Sequence, residues 1–98
     1  MTGLVIEDFQ PREGSVFMLA EDDLPPLELT LETVEPLSLN GGPKGMRPPF
    51  SLMFRCPDQR VLPQRQYRLD HPAIGEVSIF IVPIGRDETG VRYEAIFN

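Results

Sequence analysis

Cys56 and His71 are the chain's one thiol and one imidazole, so a nucleophile–base pair is the first chemistry its residue types allow. Cys56 stands in Arg55-Cys56-Pro57-Asp58 at the end of a strand pattern, and His71 in a turn ahead of Pro72. No other group is placed to orient either one. The expectation is a loop cysteine and a turn histidine bonded to nearby backbone, neither of them catalytic. A structural zinc asks for about four Cys or His ligands, and these two residues are all the chain offers. Glu21-Asp22-Asp23 gathers carboxylate oxygens, but the Asp-x-Asp-x-Asp-Gly order of a calcium loop is missing. Asn40-Gly41-Gly42-Pro43-Lys44-Gly45 has the glycines of a phosphate loop without its Gly-Lys-(Ser/Thr) order or a following helix. Fifteen acids guarantee chance carboxylate pairs, and none stands out as the pair a glycosidase needs. No cofactor, no metal and no enzymatic activity are expected.

The charges are the more informative chemistry. Residues 1–42 carry nine acids against Arg12 alone, whereas residues 43–72 carry Lys44, Arg47, Arg55, Arg60, Arg65 and Arg68 against Asp58 and Asp70. The total is −6, which argues against a nucleic acid, since duplex binding runs on phosphate neutralisation. Two accounts of the basic cluster stand side by side. One is cross-strand ion pairing, with Glu76 and Glu94 as partners of Arg68 and Arg92, worth little per pair. The other is a protein contact in which Lys44, Arg47, Arg55, Arg65 and Arg68 meet an acidic face carrying Glu28 and Glu32, on a partner or on another copy of the chain. Complementary faces on one protomer favour head-to-tail association.

These residues ride on a chain of 98 residues, enough for one domain and one core. Period-two alternation sets the elements. Leu27, Leu29 and Leu31 alternate with polar residues, as do Phe50, Leu52 and Phe54, then Tyr67 and Leu69, then Val91, Tyr93, Ala95 and Phe97. Ser15–Ala20 forms a further strand. Val77–Val82 is apolar on both faces apart from Ser78 and reads as the most central strand. The strands from Gln66 to Asn98 form an antiparallel meander, turning at His71-Pro72-Ala73-Ile74-Gly75 and at Gly85–Gly90. Residues 2–9 make at most a short helical turn. The stretch 36–49, with four prolines and three glycines, is a long loop, mobile until a partner orders it. The fold class is therefore all-β, a small partly open antiparallel barrel or two-layer sandwich of about six to seven strands, as a single domain over 1–98. No segment is long and apolar enough to cross a bilayer as a helix, the start of the chain carries no basic, apolar leader, and a lone cysteine suits a reducing compartment. The cytoplasm is expected, and no membrane.

Leu62-Pro63-Gln64, Tyr67-Arg68-Leu69-Asp70-His71-Pro72, Gly75-Glu76, Phe80-x-x-Pro83-Ile84-Gly85 and Tyr93-Glu94-Ala95-Ile96-Phe97-Asn98 together look like the C-terminal half of a family of short bacterial proteins of unknown function. Phe9-x-Pro11, Gly14-x-x-Phe17 and Phe50–Arg55 resemble it as well. The resemblance implies a small tail- or appendage-associated protein and carries over no catalytic residue. The expected function is a non-enzymatic structural or adaptor protein working through protein contacts or self-association. The alternative is a small ligand-binding module using the 36–49 loop and an open barrel end.

Overall fold

A computed structural model describes residues 5–37 and 49–97 of the chain. Six antiparallel strands close into a barrel: β1 (Val16–Leu19), β2 (Glu28–Pro36), β3 (Phe50–Cys56), β4 (Arg65–His71), β5 (Gly75–Asp87) and β6 (Gly90–Phe97), joined around the ring in the order β1-β2-β3-β6-β5-β4. Two short 3-10 turns, Ile6–Asp8 and Gln10–Arg12, precede β1. The barrel is closed rather than partly open. Closure removes the free strand edges that an open sheet must protect.

Alternation carries one face of every strand inward. Phe17 and Leu19, Leu29 and Leu31, Phe50, Leu52 and Phe54, Tyr67 and Leu69, Val77, Ile79 and Ile81, and Val91, Tyr93 and Ala95 are buried together, while Phe97 is half-buried. Two irregularities break the period. In β2 the register against β3 slips at Glu32, so Leu29 and Leu31 are followed inward by Val34 and not by Thr33. In β5 it slips at Ile84, between the Pro83–Tyr93 and Gly85–Arg92 pairs. One extra residue on one strand reverses which side the later residues face.

The ring corrects the reading of Val77–Val82 as a central strand buried on both faces. Every strand of a closed barrel has an inside and an outside, and Phe80 is accordingly 51% exposed. The meander from β4 to β6 is as expected: Tyr67 pairs with Ile79, Leu69 with Val77 and Tyr93 with Pro83. The His71–Gly75 turn closes through the Ile74 N–H donating to the His71 carbonyl, with Gly75 at φ +89°. The last hairpin is tighter than expected, because β5 runs on to Asp87 and only Glu88 and Thr89 separate it from Gly90. The Pro/Gly-rich stretch is also shorter than 36–49. Pro36 pairs with Phe50, and the Leu37 N–H donates to the Pro49 carbonyl at 3.0 Å. Residues 38–48, with Lys44 and Arg47, lie outside the described residues.

The chain crosses both ends of the barrel. At one end the 3-10 turns lay Phe9, fully buried, against Phe17, Phe50 and Phe97, with ring centroids 5.6–6.2 Å apart. Glu13 then fastens this segment to the ladder, its carboxylate accepting from the Val34 N–H at 2.7 Å. At the other end residues 57–64 run from β3 across to β4. Two tyrosines hold this crossing from within: the Leu62 N–H donates to the Tyr93 hydroxyl at 3.0 Å, and the Tyr67 hydroxyl donates to the Pro63 carbonyl at 2.7 Å. Buried hydroxyls need such partners.

Candidate functional site

The thiol and the imidazole lie at opposite ends of the barrel. β3 ends at Cys56, paired with Val91, under the 57–64 crossing; β4 runs the other way and ends at His71, beside the start of β1. Cys56 is 1% exposed, and burial pushes its thiol above the ordinary range. A buried, protonated thiol is a poor nucleophile. We expect Cys56 in the folded protein to react with a thiol reagent at neutral pH at least about tenfold more slowly than a free thiol, and to reach the free rate once denatured. A folded-state rate above that of a model thiol would mean an activated thiolate.

His71 has a structural proton inventory. Its Nδ1 lies 3.0 Å from the Ala73 N–H, which can only donate, so Nδ1 accepts. Nε2, 3.0 Å from Ser15 Oγ, is then the donor, and the Ser15 hydroxyl donates a hydrogen bond to the Arg12 carbonyl. The ring packs on Phe17 at 4.5 Å. His71 thereby ties the β4–β5 turn to the entry of β1.

The arginines expected to face a partner find acids within the chain. Arg55 on β3 and Arg92 on β6 are directly opposed, and Glu32 stands between them, 3.1 Å from the Nε of each. Alternation with Leu29 and Leu31 puts the Glu32 carboxylate on this outer face. Arg92 also reaches Asp87 at 3.2 Å. Arg65 lies 3.6 Å from both Glu21 and Asp23, over the ring of Tyr67, and Arg68 lies 3.8 Å from Glu21 and 3.5 Å from Asp22. Glu21 does double duty, accepting from the Arg68 N–H at 2.7 Å. The candidate contact residues thus split into a Glu32–Arg55–Arg92 group and a separate Arg65–Arg68 group on β4. Glu28 pairs across the ladder with Met18. Glu76 and Glu94, the acids expected opposite the arginines, pair instead with Asp70 and with Val82 and Met53. Alternation alone puts Glu32 on the outer face, but that Arg55 and Arg92 stand beside it is a property of the β2–β3–β6 pairing, which the sequence does not show.

Glu32 separates two like charges that would otherwise face each other across strands. The side chains are 24–44% exposed, so solvent screens the interaction. Glu32→Ala should lower stability by about 1 kcal/mol at low salt and by less at high salt. Urea unfolding at two ionic strengths measures it; an unchanged midpoint at low salt would show that the pairs contribute nothing net.

At the tip of the 57–64 crossing, Asp58 and Arg60 form an exposed clip at 2.9 Å. The side-chain and backbone hydrogen bonds from Arg60 hold the Asp58 carboxyl down at about 2. Its folded value lies below the unfolded one, so the clip stabilises above about pH 4 and is lost as pH falls toward 2. An NMR pH titration should show Asp58 and the Arg60 amide changing together in that window; a midpoint near 4 would remove the clip.

Among the described residues no helix is long and apolar enough to cross a membrane, and no group of three or more His, Cys, Asp or Glu side chains is arranged to hold a metal. Searches of curated proteins and of solved structures returned no match. A family model for a domain of unknown function, DUF6916, matches residues 4–97. That span takes in all six strands, both crossings and every candidate residue above, so the chain belongs to the DUF6916 family of domains of unknown function.

Proposed function

We propose that the domain is a non-enzymatic structural or adaptor protein that works by protein–protein contact. The observation that carries this reading is a stripe on the outside of the barrel. Phe80 on β5 and Ile96 on β6, two residues beyond the Val82–Glu94 pair on each strand, are 51% and 53% exposed, and Ile84 further along β5 is 50% exposed. Large apolar groups clustered on a surface mark contact sites more often than scattered ones do. Closure of the ring leaves a partner faces rather than strand edges to bind. The charged groups matter less to the contact than the apolar stripe, because Arg55, Arg65, Arg68 and Glu32 already have partners within the chain. A bacterial, tail- or appendage-like assembly in the cytoplasm is the setting that the resemblance of the C-terminal strands and the lone thiol favour.

Placing a photo-reactive side chain at position 80 or 96, in the cell that makes the protein, tests the stripe. The expected result is a discrete adduct, with a second copy or with another chain, that is lost when Ile84 is changed to Asp. Adducts of the same yield from outward-facing Ser78 or Thr30, or none at 80 and 96, would sink the reading.

A further inference from the structure

The slip at Ile84 does more than expose one isoleucine. By strict alternation Arg86 would face outward; after the slip it pairs with Val91, whose side chain is fully buried, and so turns to the inner side of β5 at the barrel's end. There its Nη1 approaches the Gln59 carbonyl of the crossing segment at 3.4 Å, a long contact and the one its guanidinium makes among the described residues. Between the hairpin and the crossing opens a pocket of about 340 Å³ lined by Val61, Pro83, Gly85, Arg86 and Val91. Its walls are apolar except for Arg86, and Val61 is half exposed at its mouth.

The charge at this pocket is uncompensated. Among the described residues Arg55, Arg60, Arg65, Arg68 and Arg92 each have a carboxylate within ion-pair distance; Arg12 and Arg86 do not, and Arg86 is the one that lines the pocket. Asp87, next to it in sequence, is engaged by Thr89 and Arg92, and Asp58 on the crossing by Arg60; the exposed Glu88 forms no ion pair with Arg86 among the described residues. A planar cation beside an apolar hollow is the chemistry that recognises a carboxylate carrying a small apolar body. We propose that this pocket binds an apolar monocarboxylate, with the alkyl part against Val61 and Pro83, over the buried Val91, and the carboxylate on Arg86. A short free acid and the C-terminal residue of a peptide share that chemistry. The site lies at the Tyr93 end of the barrel, away from the Phe9 plug; Ile84 of the apolar stripe sits between its Pro83 and Gly85, but the carboxylate contact at Arg86 does not depend on the contact reading.

The test is an amide NMR titration of the folded protein with three probes: hexanoate, N-acetyl-Ala-Ala-Leu with a free carboxylate, and the same peptide as its amide. The expected result is saturable shifts at Val61, Gly85, Arg86 and Val91 from at least one carboxylate, with the amide binding at least about tenfold more weakly, as loss of one charge-assisted pair implies. Response to hexanoate alone assigns a free acid, and response to the peptide assigns a chain terminus. Arg86→Gln and Val61→Asp, both at exposed side chains, should each weaken binding by about tenfold or more while the remaining amides keep their positions. No saturable shift from either carboxylate, an amide that binds as well as the acid, or variants that bind like the parent would overturn the site. None of these outcomes bears on cross-linking at position 80.

Discussion

Gly90→Ala is expected to cost about 3 kcal/mol or more, while Gly85→Ala, five residues away on the same hairpin, should be nearly neutral. Gly90 opens β6 at φ +132°, which L side chains rarely adopt. A Cβ there would sit inside contact distance of the Cys56 carbonyl oxygen and 2.8 Å from its carbon, with Pro57 Cα at 2.9 Å. All three atoms belong to backbone, which must move as a unit. They also lie where β3 ends and the 57–64 crossing begins, so relief would open the β3–β6 ladder beside the Leu62–Tyr93 hydrogen bond. At Gly85 an added Cβ meets nothing within 4 Å. Chemical unfolding of the two variants provides the measurement. Equal midpoints would show that the hairpin can slide off Cys56, and that the close approach is not needed by the fold.

Phe9→Ala should cost about 3–5 kcal/mol, the range for emptying a large buried aromatic site. Phe9 belongs to no strand, yet it is fully buried against three other phenylalanines and closes one end of the barrel. Its removal leaves a void that the short 3-10 turns, held by the Asp8 carboxylate on the Val5 N–H and by Glu13 on Val34, are poorly able to fill. The denaturation midpoint should fall, and amide exchange should quicken from Ile6 to Glu13 before it does in β3 or β6. A loss below about 1 kcal/mol would mean that the end collapses or that Phe97 swings in to replace the ring. The plug also bears on the reading of the domain as a ligand module, because it fills the barrel end from which the 38–48 segment departs.

Much of the architecture was legible in the chain because a strand's period of two is a local property. Phe50, Leu52 and Phe54 could be read as inward-facing from their spacing alone, and so could Tyr67, Leu69, Tyr93 and Ala95. The His71–Gly75 turn was equally readable, since Pro72 and Gly75 state their backbone preferences without help from distant residues. The distance between Cys56 and His71 could not be read from the sequence. Their opposite ends follow from the directions of β3 and β4.

What the sequence by itself determined was which residues alternate, where the chain turns, that the final strands form a meander, and that acids and bases concentrate in different stretches. Closure into a ring was decided in three dimensions, by β1 reaching β4 through Met18–Asp70 and Leu19–Leu69, pairs distant along the chain. So were the two slips at Glu32 and Ile84, which exist only in the pairing of one strand against another and have no local signature. Those slips bring Val34 inward in place of Thr33 and turn Arg86 toward a pocket. The acidic and basic stretches, separate along the chain, became one another's partners because the ring brings the Glu21–Asp23 loop over β4 and sets β2 beside β3. Charge composition is additive along a sequence, but ion pairing depends on proximity, and proximity here belongs to the closed barrel.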